Sequence, residues 1–211
     1  IFTTNKLDGI RNRISARTTA NLNKRWFWSG YYAHGWKSHK NYYDAEVTYS
    51  FIDKEYSTWE FPKRTLSFNS NYDVYSPSDR FLPTDKDNFL IAFKWTGIDK
   101  LMLCNRQQIT FDYEFYGGLK TSLMAKAEEF EACGAMSFRH LNEPRLENTE
   151  MVAHHEFLRT TELKAEIRYA PDETYVNSKE RRVTINRDMP VFTLSHTFGF
   201  RGILGGQYTS N

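Results

Sequence analysis

The chain has 211 residues, of which 40% are hydrophobic, 26% charged and 16% aromatic, including 13 Tyr, 16 Phe and 5 Trp. Mean hydropathy is -0.66, and no apolar run approaches the ~20 residues of a membrane-spanning helix, which excludes a helical membrane protein. The 28 basic and 26 acidic residues leave a net charge of +2, so no single-sign field points to nucleic acid.

In chain order, the dominant signal is period-2 alternation, as a strand produces when successive side chains face opposite sides of a sheet. From Arg13 to Asn23, Ile14, Ala16, Thr18, Ala20 and Leu22 alternate with Arg13, Ser15, Arg17, Thr19 and Asn21. A less regular strand is expected from Trp26 to Lys37. From Tyr42 to Phe51, Tyr43, Ala45, Val47 and Tyr49 oppose Asp44, Glu46, Thr48 and Ser50. From Arg64 to Tyr75, Leu66, Phe68, Tyr72 and Val74 oppose Ser67, Asn69, Asn71 and Asp73. Ser76-Pro77-Ser78-Asp79, with Pro83, begins a longer loop, an irregular strand is expected at Phe89 to Thr96, and Gly97-Ile98-Asp99-Lys100 is a tight-turn candidate.

From Leu103 to Phe115, Ile109, Phe111, Tyr113 and Phe115 oppose Arg106, Gln108, Thr110, Asp112 and Glu114, and Gly117-Gly118 then marks a turn. Leu119 to Cys133 contains good helix formers, among them Leu123, Met124, Ala125 and Glu128, but Leu119, Thr121, Leu123, Ala125 and Ala127 also alternate. A strand is preferred there, because short turns lie nearby. Gly134 to His140 and Val191 to Phe200 read as further strands. Between them, Phe157 to Ala170 sets Leu163, Ala165, Ile167 and Tyr169 against Glu162, Lys164, Glu166 and Arg168.

Alternation does not say which face is inside. A soluble barrel or sandwich encloses the apolar face; an outer-membrane barrel turns that face to lipid and encloses the charges. Three features favour the membrane: strands of about ten residues, matching the ~9–11 needed to cross a tilted bilayer; aromatics near strand ends at Trp26-Phe27-Trp28, Tyr31-Tyr32, Trp36 and Tyr42-Tyr43; and mixed charge signs on one face, which can pair across strands. The expected fold is therefore all-β, an antiparallel up-and-down transmembrane β-barrel, present here as an incomplete portion of about ten strands.

Three segments carry a family resemblance: Arg17-Thr18-Thr19-Ala20-Asn21-Leu22-Asn23-Lys24-Arg25-Trp26-Phe27, Phe81-Leu82-Pro83-Thr84-Asp85-Lys86-Asp87, and Pro190 to Thr197 leading into Gly199-Phe200-Arg201-Gly202. The chain resembles a family of large Gram-negative outer-membrane proteins that carry an N-terminal carboxypeptidase-like regulatory β-sandwich. In that family a domain of unknown function follows, similar to the barrel of the surface antigen, or outer-membrane assembly, superfamily. The resemblance implies residence in the cell outer membrane, a structural, transport or assembly-related role without catalysis, no cofactor, and outer-membrane lipid and other envelope proteins as partners. It also implies that residues 1–211 are one partial barrel domain. The chain opens at Ile1-Phe2-Thr3-Thr4 without Met or a signal sequence and stops at Gln207-Tyr208-Thr209-Ser210-Asn211, as if another strand were beginning. A weak repeat of Gly9-Ile10-Arg11 and Arg17 to Asn21 in Gly199-Phe200-Arg201 and Gln207 to Asn211 fits such a cut.

In the assembly superfamily an Arg-Gly-aromatic tip enters the lumen and meets an acidic strand residue. Arg201-Gly202 offers part of that tip with Ile203 in the aromatic place, and it equally suits a Gly-flanked turn with an exposed Arg. Glu46, Asp112, Glu114, Glu162, Lys164, Glu166 and Arg168 are the candidate lumen residues. Asp44 with Glu46, and Asp112 with Glu114, could also bind a cation or act as acid and base, although a charge network is the simpler reading.

No phosphate loop, dinucleotide fingerprint, HExxH or CxxC motif occurs. His154-His155-Glu156 would point to opposite sides of an extended chain and reads as a polar loop. A zinc hydrolase would need His140, Glu143 and His196 at one point. A soluble β-barrel or sandwich binding an apolar ligand is the alternative from a different class. Cys104 and Cys133 are too few for a disulfide framework but leave one bridge open.

Overall fold

The computed structural model describes residues 2–5, 7–76, 100–134, 136, 138, 157–186, 189–207 and 209. The fold is all-β and antiparallel. Strands β1 (Phe2–Asn5), β2 (Gly9–Arg17), β3 (Trp26–Gly35), β4 (Asn41–Ser50), β5 (Arg64–Tyr75), β6 (Lys100–Glu114), β7 (Leu119–Gly134) and β8 (Phe157–Tyr169) follow one another as neighbours. A ribbon of β9 (Tyr175–Asn177) and β10 (Arg182–Thr184) stands apart, and β11 (Phe192–Gly199) returns to pair with β8. The nine-stranded sheet is an up-and-down meander, but it is open: β1 and β11 are its edges and do not pair. Of the expected barrel of about ten strands, the described residues show an antiparallel sheet of nine strands that does not close.

The alternating segments become strands with small shifts of boundary. Arg64–Tyr75 is reproduced residue for residue, whereas the segment expected to run from Arg13 to Asn23 starts at Gly9 and stops at Arg17. Alternation continues past Arg17, but the Asn23 side-chain oxygen accepts the N–H groups of Arg25 and Trp26 at 2.8 and 3.0 Å and turns the chain there. Leu119–Gly134 is a strand despite its helix formers, since β6 and β8 pair with it on both sides. Gly118, at φ 78°, supplies the left-handed residue of the preceding turn. Short strands β1, β9 and β10 carry too few residues for alternation to be recognised in them. The segment Phe89 to Thr96, most of Gly134 to His140, and the turns at Pro77 to Pro83 and Gly97 to Asp99 lie outside the described residues. The two arms of the Gly-Arg-Thr-Asn repeat occupy unlike positions, for Gly9 opens β2 and Gly199 closes β11.

Buried apolar side chains gather at one end of the sheet, where residues 36–40 join β3 to β4. One cluster holds Ala33, Tyr42 and Leu103, and a second holds Met102, Cys104 and Phe130. Over most of the sheet a conventional core is lacking among the described residues. There the polar side chains are the enclosed ones: Asp112, Glu114 and Glu128 are 6%, 3% and 3% exposed, while Trp28, Phe68, Ile109 and Ile167 are 56%, 46%, 50% and 49% exposed.

Candidate functional site

The register assigns every strand residue to a face. One transverse row reads Trp28, Val47, Phe68, Ile109, Ala125, Leu163 and Phe198; its neighbour on the opposite face reads Phe27, Thr48, Ser67, Thr110, Met124, Lys164 and Thr197. Ala45, Val47, Tyr49, Leu163, Ala165 and Ile167 thus share one face, and Glu46, Lys164 and Glu166 the other.

A direct contact shows the curvature. Arg11 on β2 bonds Asp73 on β5 at 2.7 and 2.8 Å, and the Tyr31 hydroxyl on β3 donates to the same carboxylate. A flat sheet would hold the β2 and β5 backbones about 14 Å apart, three strand spacings of ~4.8 Å. The sheet therefore curls over its polar face. Around this contact, Arg11 lies over the Tyr42 ring at 4.6 Å, and Asp8, fully buried, accepts hydrogen bonds from Tyr42 (2.5 Å) and Ser38 (2.6 Å).

Most of the expected lumen residues meet partners on this enclosed face. Asp112 accepts from Lys63 at 2.5 Å and lies 3.9 Å from Lys120. Glu114 takes the Lys63 backbone N–H at 2.6 Å and Arg182 at 2.8 Å. Glu162 meets Lys126 at 2.9 Å, and Lys126 also reaches Glu128, which accepts from Arg106 at 2.6 Å. Lys164 pairs with Glu166 at 2.7 Å, and Arg168 with Glu173 at 2.5 and 3.0 Å. Glu46 lies between Ser29 and Asn69 in the register and takes a 3.4 Å contact from Thr48. Asp44 accepts from the amides of Asn69 and Asn71.

The carboxylate pairs therefore sit in a web of cations and amides that runs across β4 to β8. Lys126 and Glu128, which the helix-forming composition of β7 obscured, share the polar parity of that strand and could have been found by it. Arg11, Lys63, Glu173 and Arg182 come from strand starts and connections where alternation gives no guidance.

Arg201 and Gly202 lie elsewhere. Both are exposed, in a turn beyond β11, with Gly202 at φ 82°. His196 is on the apolar face, opposite Ala165 and 4.2 Å from the Phe198 ring, while His140, Glu143 and His154 to Glu156 lie outside the described residues. Among the described residues no three His, Cys, Asp or Glu side chains converge as a metal site. Cys104 and Cys133 are not joined by a disulfide; Cys104 lies opposite Phe130 and Cys133 opposite Leu101, on opposite faces of the sheet.

The 115–118 end of the polar face is overlaid by the ribbon and by connection 51–63. The Asn177 amide donates to the Phe61 carbonyl and accepts its N–H, both at 2.9 Å, and the Phe61 and Tyr175 rings lie 4.8 Å apart. Outside the strands, hydrogen bonds from Arg168 hold the Glu173 carboxyl below its ordinary pKa, and burial brings the Lys54 ammonium down to about 8. No protein-family model, no curated protein and no solved structure matches the chain.

Proposed function

We propose that this chain forms part of a β-barrel in the Gram-negative outer membrane, with its apolar face against lipid and its polar face lining an aqueous interior. Its role is structural, transport or assembly-related, without catalysis, as the resemblance to the family of outer-membrane proteins with a carboxypeptidase-like regulatory domain implies. The carrying observation is the inverted distribution of side chains: the sheet curls over its charges and leaves its aromatics and aliphatics outward. A soluble barrel with an apolar ligand chamber would need the opposite curvature.

The dimensions agree with this reading. At one end of the apolar face Tyr32, Tyr43 and Tyr72 form a row across β3 to β5. At the other end Tyr49, Phe51, Phe111, Tyr113 and Phe115 form a chain of rings with centroids 4.6 to 6.3 Å apart. From Tyr43 to Phe51 the strand rises ~27 Å, or about 20 Å after the usual ~40° tilt, against an apolar band of ~25 Å in such barrels. In a closed barrel, further strands would pair with the β1 and β11 edges.

Single cysteines in a Cys104→Ser, Cys133→Ser background test the reading. The intact protein would be labelled with an environment-sensitive maleimide at Val47, Ala165 or Ile167, and at Glu46 or Glu166, then reconstituted in vesicles. Labels at the first three are expected to be quenched by lipid-borne quenchers and shielded from aqueous iodide, with the reverse at the last two. Equal iodide quenching on both faces, or a protein that stays out of the vesicles, rejects the proposal.

A further inference from the structure

The β11 edge is interrupted in a specific way. Phe200 N–H donates to the Thr161 carbonyl and Gln207 N–H to the Arg159 carbonyl, so 201–206 leaves the ladder as a loop between two adjoining positions on β8. Leu204 in that loop has φ 47°, a left-handed conformation that leucine rarely adopts. The loop is held there by the Thr161 hydroxyl, which donates to the Ile203 carbonyl at 2.8 Å, and by Gly205, where a Cβ would lie 3.0 Å from Arg159 Cδ.

These restraints place Ile203 and Leu204 as one wall of an almost wholly apolar groove of about 340 Å³, whose other sides include Phe68, Ile109 and Leu163. Its floor is β7, where Ala125 lies between Ile109 and Leu163, and Ala127 between Gln107 and Thr161. Two alanines between larger neighbours make a trough along the strand. Beyond Ala127 the same face of β7 continues with Glu129, which is paired to Arg159, and both side chains keep over a third of their surface exposed. The groove thus runs from a level with one cation and one anion into the apolar band.

We propose that this groove binds one acyl chain of a zwitterionic phospholipid, with the lipid phosphate at Arg159 and its ammonium at Glu129. The proposal rests on the membrane reading. Continuity with the apolar band identifies the occupant as a hydrocarbon chain, and the adjacent opposite charges match a headgroup that carries both signs.

The test uses the intact protein, reconstituted in mixed phosphatidylethanolamine and phosphatidylglycerol vesicles, released into mild detergent and weighed by native mass spectrometry. Wild type is expected to retain one phosphatidylethanolamine. Ala127→Phe, which fills the trough, should lower that retention by about tenfold or more, while Ala45→Phe, on the same face of β4, leaves it unchanged. Glu129→Gln, which removes the partner of the ammonium, should abolish the preference for phosphatidylethanolamine over phosphatidylglycerol. Vesicle flotation of each variant reports insertion separately. Insertion without a retained lipid, equal retention by Ala127→Phe, or a second protein copy in place of lipid overturns the groove proposal and leaves the membrane reading intact. Failure of wild type to float overturns both.

Discussion

Lys54 and Glu60 show how single residues do the work of a ladder where the ladder stops. In connection 51–63 the Lys54 ammonium, 2% exposed, donates to the carbonyls of Glu60 and Pro62 at 2.8 and 2.7 Å. The Glu60 carboxylate accepts the N–H groups of Glu55 and Ser57 at 3.0 and 2.5 Å, and that of Tyr56. Two side chains of opposite charge thereby satisfy backbone groups that have no strand partner. Lys54→Met leaves two carbonyls without a donor and should lower the stability of this connection by about 1–3 kcal/mol, read as faster cleavage of 51–63 by added protease. The pH dependence has a definite sign. Burial lowers the folded pKa of Lys54 to about 8, below the ~10.4 of an unfolded lysine, so between these values the unfolded chain binds more protons and stability rises with pH. Wild type should gain on Lys54→Met from pH 8 to 10; a constant difference would refute the assignment. Neither role is legible in the sequence, where a lysine and a glutamate six residues apart in an irregular segment read as solvated surface.

Among the elements, the strands were legible because alternation is a local property. β5 required nothing but its own residues, and β7 only a decision between two periods that its neighbours then enforced through pairing on both sides. The β9–β10 ribbon was not legible, because its position depends on partners far away in the chain: Glu114 for Arg182, and Phe61 for Asn177. Its near anchor is Arg168 with Glu173, and the Tyr175 hydroxyl also donates to Glu173 at 2.5 Å. Because Arg168 lowers the folded pKa of Glu173, that anchor contributes fully above the unfolded value of ~4.3 and is lost as pH falls through the folded one. Hydrogen exchange of residues 171–186 should therefore be slower at pH 6 than at pH 3.5, after correction for intrinsic rates, by a margin that Glu173→Gln reduces. Identical margins in the two proteins would show that the ribbon is held by its other contacts.

For the molecule as a whole, the two faces predict opposite tolerances to charge. Ala165→Arg places a cation in the middle of the apolar face, which in a bilayer should cost about 2–4 kcal/mol. Ser122→Arg, between Asp112 and Glu166 on the polar face, should cost less than about 1 kcal/mol, since carboxylates are at hand. Urea unfolding from vesicles measures both, and equal losses would contradict the assignment of the faces.

The sequence by itself determined which residues travel together. A period of two is set by the pleat of each strand, so Glu162, Lys164, Glu166 and Arg168 had to share a face whatever surrounded them. Only the tertiary structure decided that this face is the enclosed one. Curvature accumulates over several strands through their twist and register, and its direction appears in the bond between Arg11 and Asp73, residues 62 positions apart that no local pattern connects.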